Sequence, residues 1–136
     1  MSAFSHFKTG IIAANGIDIH YVEHGSGPLV IFCHGWPESW YSWRHQLQAI
    51  GDAGFRAVAL HMRGYGETTR PKNIEAYTIS HLVGDVVGSV TALGESEAIV
   101  VGHDWGGPVA WHSALMRPDI FRAVAVLSVP FNPPFA

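Results

Sequence analysis

The sequence predicts one α/β domain over residues 1–136, a mostly parallel sheet that opens with antiparallel strands and carries helices on its faces. Three observations lead there. Two short strand-like segments meet at Asn15-Gly16. Apolar runs such as "LVIFC" and "FRAVAL" recur between polar turns. Stripes of apolar residues at helical spacing separate those runs.

Taken in order, "TGIIAANG" and "IDIHYVEHG" read as a hairpin, because Asn-Gly favours the tight turns that join antiparallel strands. "PLVIFCHG" is apolar without interruption between Pro28 and Gly35, as a strand buried on both faces requires. Residues 39–51 read as a helix, with Ser39 as N-cap and Gly51 near its end. "FRAVAL" (55–60) is a second buried strand, and the Gly-, Thr- and Pro-rich stretch 61–77 is a loop. Residues 78–93 place Leu82, Val83, Val86, Val87, Val90 and Leu93 on one helical stripe. A strand at 97–102, a helix at about 105–116 and a strand at 121–128 complete the pattern. No repeat, low-complexity tract or linker divides it.

The bulk composition narrows the function classes. A formal net charge of −3 leaves no basic footprint for nucleic acid. No apolar run approaches the ~20 residues of a membrane span. The N-terminus lacks the charged and apolar regions of a secretory signal, so a soluble cytoplasmic domain is expected. A lone cysteine, Cys33, excludes an internal disulfide. Among nine histidines there is no H-E-x-x-H. His20 and His24 fall on a predicted strand, about 13 Å apart, so no metal site is expected. Neither phosphate-cradling glycine motif occurs, and no cofactor is expected.

The chemistry-bearing stretch is "VVGHDWGGPVA", residues 100–110. "GHDWG" fits small–x–nucleophile–x–small, the elbow between a strand and a helix that projects a nucleophile beyond the carboxyl edge of a parallel sheet. Gly102 and Gly106 would let helix and strand approach closely enough to form it. A carboxylate at the tip can attack carbon and form an ester, or Asp104 can simply cap the helix that follows. A second signal favours the elbow. "HGWPESWYSWRHQ" (34–46) follows the strand "LVIFC", where this architecture draws one N–H of an oxyanion hole; the other comes from the residue after the nucleophile. Trp36 and Trp105 are the candidate donors, with Gly35 permitting close approach and Pro37 stiffening the exit.

"HGWPESWYSWRHQ", "MRGYG", "GHDWGG" and "LSVPF" together resemble the epoxide hydrolase branch of the α/β-hydrolase fold superfamily, and the resemblance covers nearly the whole chain. It implies that Asp104 attacks an epoxide carbon and that the resulting ester is hydrolysed. The Trp36 and Trp105 amides would steady the tetrahedral intermediate, and their indoles would line the pocket. It also implies a small-molecule substrate, an epoxide or related electrophile. One departure is His61, where the family usually has an aspartate; weakened structure is expected there more than altered chemistry.

The same resemblance implies parts that these residues do not supply. The family's base is a histidine near the end of the full chain, and its acids are tyrosines on a cap inserted after the sixth strand. Tyr21, Tyr41, Tyr65 and Tyr77 all precede the elbow. His112, the only histidine after it, falls within the following helix; His103 diverges from its neighbour, and His34 is a loop brace. The sheet would end at an apolar strand with no charge after Arg122, followed by a Pro-rich stretch. The expectation is the N-terminal part of a longer α/β-hydrolase domain, cut before the cap and inactive alone. Two alternatives stay open. One is a haloalkane or haloacid dehalogenase of the same fold, against which Trp36-Pro37-Glu38-Ser39 argues. The other is a non-catalytic domain that self-associates, or pairs with a missing C-terminal half, through its sheet edge.

Overall fold

The computed structural model describes residues 4–131; most of the Pro-rich stretch after the last strand lies outside them. Strands β1 (Lys8–Ala14) and β2 (Ile17–His24) form the hairpin, with Ala14 opposite Ile17. Asn15 and Gly16 have φ of 53° and 79°, the left-handed pair that matches the twist of a two-residue hairpin. Strands β3 (Leu29–Cys33), β4 (Arg56–Leu60), β5 (Ala98–His103) and β6 (Phe121–Leu127) follow. The sheet order is β1-β2-β4-β3-β5-β6. β2 runs antiparallel to both its neighbours, whereas β4, β3, β5 and β6 are mutually parallel.

Central position explains the apolar runs. Every residue of β3 is buried, and successive side chains enter different cores. Leu29, Ile31 and Cys33 join Val58, Leu60 and Val100 beneath helices α2 (Ile79–Ala92) and α3 (Gly106–Met116). Val30 and Phe32 join Ala57, Ala59 and Leu47 on the opposite face, under α1 (Arg44–Asp52). Helices therefore cover both faces, as the pattern predicts. Each large apolar side chain so buried contributes about 1.5–3 kcal/mol.

Two predicted elements are more finely divided than their spacing indicates. The helix over 39–51 begins as a 3₁₀ turn, Trp40–Trp43, and becomes α-helical at Arg44. Ser39 is the cap, its hydroxyl accepting from the Tyr41 amide at 3.3 Å. The tighter winding eclipses residues three apart, so Trp40 and Trp43 both turn inward, Trp43 onto Phe32 with ring centroids 5.0 Å apart. The stretch 61–77 is irregular except for a 3₁₀ turn at Ile74–Tyr77. It is anchored by Arg63, which forks onto Asp85 at 2.8 and 2.9 Å and donates to the Ala76 carbonyl. Asp85 also accepts from Asn15 Nδ2 at 2.9 Å. This buried pair ties the loop and the hairpin turn to α2.

Candidate active site

The in-register parallel pairing of β3 and β5 sets Cys33 opposite Gly102. The segments leaving those two strands, His34-Gly35-Trp36 and His103-Asp104-Trp105, therefore emerge side by side at the carboxyl edge. Glycine makes the approach possible. A Cβ on Gly106 would strike the Cys33 carbonyl, one on Gly102 the Gly106 carbonyl, and one on Gly35 the Asp104 side chain.

Asp104 occupies the left-handed region at φ 56°, costing of order 1 kcal/mol for a residue with a Cβ. It does not cap α3 with its side chain. Its carbonyl receives the Gly107 amide at 2.9 Å, and its carboxylate turns outward. There Oδ2 accepts from the Trp36 amide at 3.1 Å, and the Trp105 backbone amide is the second group that favours the ionised form. These two amides, aided by the nearby His103, hold the Asp104 carboxyl below the usual carboxylate range against slight desolvation. The group is an ionised, half-buried carboxylate with two backbone donors converged on it.

The loop that presents Trp36 is held by a residue the sequence reading passed over. Glu38 Oε1 accepts from the Gly35 amide at 2.9 Å and from His103 Nδ1 at 3.2 Å, and Oε2 accepts from Ser42 at 3.0 Å. Partial burial alone would raise the Glu38 carboxyl, but the hydrogen bonds from Ser42, His103 and Gly35 outweigh it and hold the group low. The available signal was its place in "HGWPES", three residues after a glycine whose amide needs an acceptor.

The histidines divide by role. His34 is buried; its Nε2 accepts from the Met62 amide at 3.0 Å, so Nδ1 carries the proton and donates to the Gly35 carbonyl at 2.8 Å. Desolvation favours this neutral form by lowering its pKa. His103 points away from Asp104 toward Glu38. His112 donates from Nδ1 to the Pro108 carbonyl of its own helix at 2.7 Å. His61 is buried, with its Nδ1 2.9 Å from that of His20. His24 pairs with Asp52 at 2.8 Å. No group of three or more potential ligands is gathered for a metal among the described residues, and none of their helices is long and apolar enough to cross a membrane.

Trp36 and Trp105 are 64% and 69% exposed. They stand on the rim of a cavity of about 350 Å³ whose walls include Met62, Tyr65, Tyr77, Leu82 and Val109. Asp104 lines a neighbouring recess that shares Trp105 and Pro108 with this cavity. Tyr65 packs edge-on against His34, centroids 4.7 Å apart, and burial and the Asp104 charge raise its hydroxyl pKa. An apolar molecule in the cavity would thus lie beside an ionised carboxylate under two aromatic walls.

The family model for the alpha/beta hydrolase fold matches residues 28–136, and that for the epoxide hydrolase N terminus matches residues 1–43. The chain is 54% identical over 120 residues to an epoxide hydrolase of Caballeronia sordidicola, covering 88% of this chain and 36% of that one. It is 48% identical over 132 residues to a bifunctional epoxide hydrolase 2 of Sus scrofa, covering 97% and 23%. Among solved structures, an epoxide hydrolase from Vigna radiata superposes with a TM-score of 0.94 at 47% identity, covering 96% of this chain and 42% of that one. One from an endophytic Streptomyces superposes at 0.93 and 52%, covering 95% and 39%. The chain spans less than half the length of each of these proteins.

Proposed function

This chain belongs to the α/β-hydrolase fold family, in its epoxide hydrolase branch, and from that membership we propose that it performs the attacking half of epoxide hydrolysis, with Asp104 as nucleophile. The observation that carries the reading is the convergence of the Trp36 and Trp105 amides on the Asp104 carboxylate. One carboxylate oxygen attacks an epoxide carbon, the C–O bond of the ring breaks, and an alkyl ester forms with an alkoxide that must gain a proton. When water later adds to the ester carbonyl, negative charge collects on the carbonyl oxygen, which Oδ2 becomes if the other oxygen attacks. The Trp36 amide already donates to Oδ2, with the Trp105 amide beside the group. Donors fixed in advance stabilise that charge without reorganisation.

The second half needs a base to take the proton from water. The histidines on or after the segments that carry Trp36 and Asp104 are otherwise engaged: His103 on Glu38, His34 between Met62 and Gly35, His112 on Pro108. Hydrolysis of the ester, and protonation of the alkoxide, are therefore assigned to groups that residues 4–131 do not supply. The apolar, aromatic-rimmed cavity favours a small apolar epoxide as substrate. The match to the epoxide hydrolase N terminus favours this branch over a dehalogenase. A reducing, cytoplasmic setting belongs to the same proposal and is supported by the single cysteine, Cys33, which leaves this chain without an internal disulfide.

The test is covalent trapping. A styrene oxide-type epoxide should leave one adduct that peptide mapping places on Asp104. An adduct elsewhere, or one that persists in Asp104→Ala, overturns the assignment.

A further inference from the structure

At the end of β4, His61 and His20 meet through their Nδ1 atoms at 2.9 Å, with rings tilted 32° and centroids 4.9 Å apart. The loop 62–69 is folded back over this pair. Gly66, at φ 53°, lies so close that a Cβ there would strike the His61 ring. Thr68 Oγ1 donates to the His61 carbonyl at 2.7 Å and accepts from the His20 amide at 2.9 Å. The Thr69 amide donates to the Asp18 carbonyl at 2.9 Å. Met62, Arg63 and Tyr65 of this segment line the cavity beside Trp36.

Proton counting makes the contact conditional. An Nδ1···Nδ1 hydrogen bond needs one proton between the rings and a lone pair to receive it. Two neutral imidazoles supply this, and so does a pair carrying one extra proton, because that proton can sit on an outward Nε2. His20 Nε2 is 3.7 Å from Glu67 Oε2, which would offset that single charge. A second extra proton puts two N–H groups face to face, and the bond is lost.

We propose that the His20–His61 pair is an acid-sensitive latch that holds loop 62–69 as a wall of the cavity and releases it when both rings are protonated. The claim does not depend on the chemistry assigned to Asp104. The titratable groups facing His61 are His20 from β2 and His34 after β3; around them, Glu67 of the loop faces His20 and Tyr65 packs on His34, while Arg63 is neutralised by Asp85 of α2. Burial, and then the charges of His20 and His34, push the His61 pKa down to about 4. A depressed histidine stabilises the closed loop fully above its ordinary value of about 6.5, and that contribution fades as pH falls from there toward 4.

Hydrogen exchange of the whole 136-residue chain at pH 7 and pH 5, corrected for intrinsic rates, reads the latch. Protection of the Gly64 and Thr69 amides should fall about tenfold or more at pH 5 relative to β3 amides. In His61→Asn, which cannot be protonated, the loop's protection should be the same at both pH values. If His61→Asn does not fold, His20→Gln serves, since its amide can donate to or accept from His61 and should flatten the dependence. A wild-type loop that loses no more protection than β3 overturns the proposal. So does full pH dependence in the variant that folds, which would move the effect to His34.

Discussion

His103 and Glu38 lie 3.2 Å apart, side chain to side chain, across the two segments that carry Asp104 and Trp36. Because Glu38 also takes the Gly35 amide, the turn at Asp104 and the loop that follows β3 form one hydrogen-bonded unit. Removing the carboxylate strands a buried backbone N–H, a change that costs about 1–3 kcal/mol. Glu38→Ala should destabilise the chain by that amount in urea unfolding, and Glu38→Gln, which keeps an acceptor for Gly35, by clearly less. Equal loss in both variants would mean that the charge, and not the acceptor, holds the loop.

Asp85 and Arg63 make the second test. Their side chains are 6% and 4% exposed and share two hydrogen bonds. Truncating one partner leaves the other buried and charged, typically a loss of about 3–5 kcal/mol. Asp85→Ala should therefore lower the unfolding midpoint sharply. Replacing both by apolar residues, as in Arg63→Met with Asp85→Leu, should recover much of that loss. A double variant as unstable as the single one would show that the Asn15 and Ala76 contacts, not the ion pair, anchor this region.

These two networks also mark where sequence reasoning stopped. β3 was legible because five consecutive apolar residues leave little choice but burial on both faces. The hairpin was legible because Asn15-Gly16 favours the φ signs that the turn adopts. The tight strand-to-helix turn at Asp104 was legible from the glycines that flank it, Gly102 and Gly106. Glu38–His103 joins residues 65 positions apart, and Arg63–Asp85 joins residues 22 apart. No local period encodes such pairs. Asp85 left a trace as a lone carboxylate beside the Val83–Val86 stripe of α2, where a charge needs a partner. The 3₁₀ start of the first helix was hidden because a Ser39 cap announces either winding. The setting of His61, packed between His20 and the Gly66 backbone, was not legible. That fit depends on the histidine on β2, forty-one residues earlier.

The edge of the sheet gives a prediction about association. Among the described residues β6 pairs only with β5, and Ala123, Ala125 and Leu127 are exposed along it. An apolar edge with unpaired backbone groups invites a further strand. Size-exclusion chromatography of the 136-residue chain should show dimers or larger species that shift toward monomer on dilution. Ala125→Lys, which sets a charge on the exposed side of that strand, should shift them further. A monodisperse monomer at high concentration would sink the idea.

The final prediction concerns what Asp104 does alone. Its carboxyl is held below the ordinary value by the Trp36 and Trp105 amides, so the attacking form is fully present at neutral pH and is lost only as pH falls through that lowered value. Adduct formation with an epoxide should therefore stay level between pH 6.5 and 8.5. A rate that climbs through the histidine range would instead indicate an imidazole nucleophile or base. The adduct should also be long-lived. General acid–base assistance is worth about 10²–10⁴-fold, or roughly 2.7–5.4 kcal/mol of barrier, and His103, His34 and His112 are tied to Glu38, to Met62 and Gly35, and to Pro108. Intact mass should show at most one equivalent of label, with diol release slower than labelling. Asp104→Asn should take up none on the same timescale. Multiple turnovers that vanish in Asp104→Ala would keep the nucleophile but place a working base within these residues, and His103 released from Glu38 would be the first to replace.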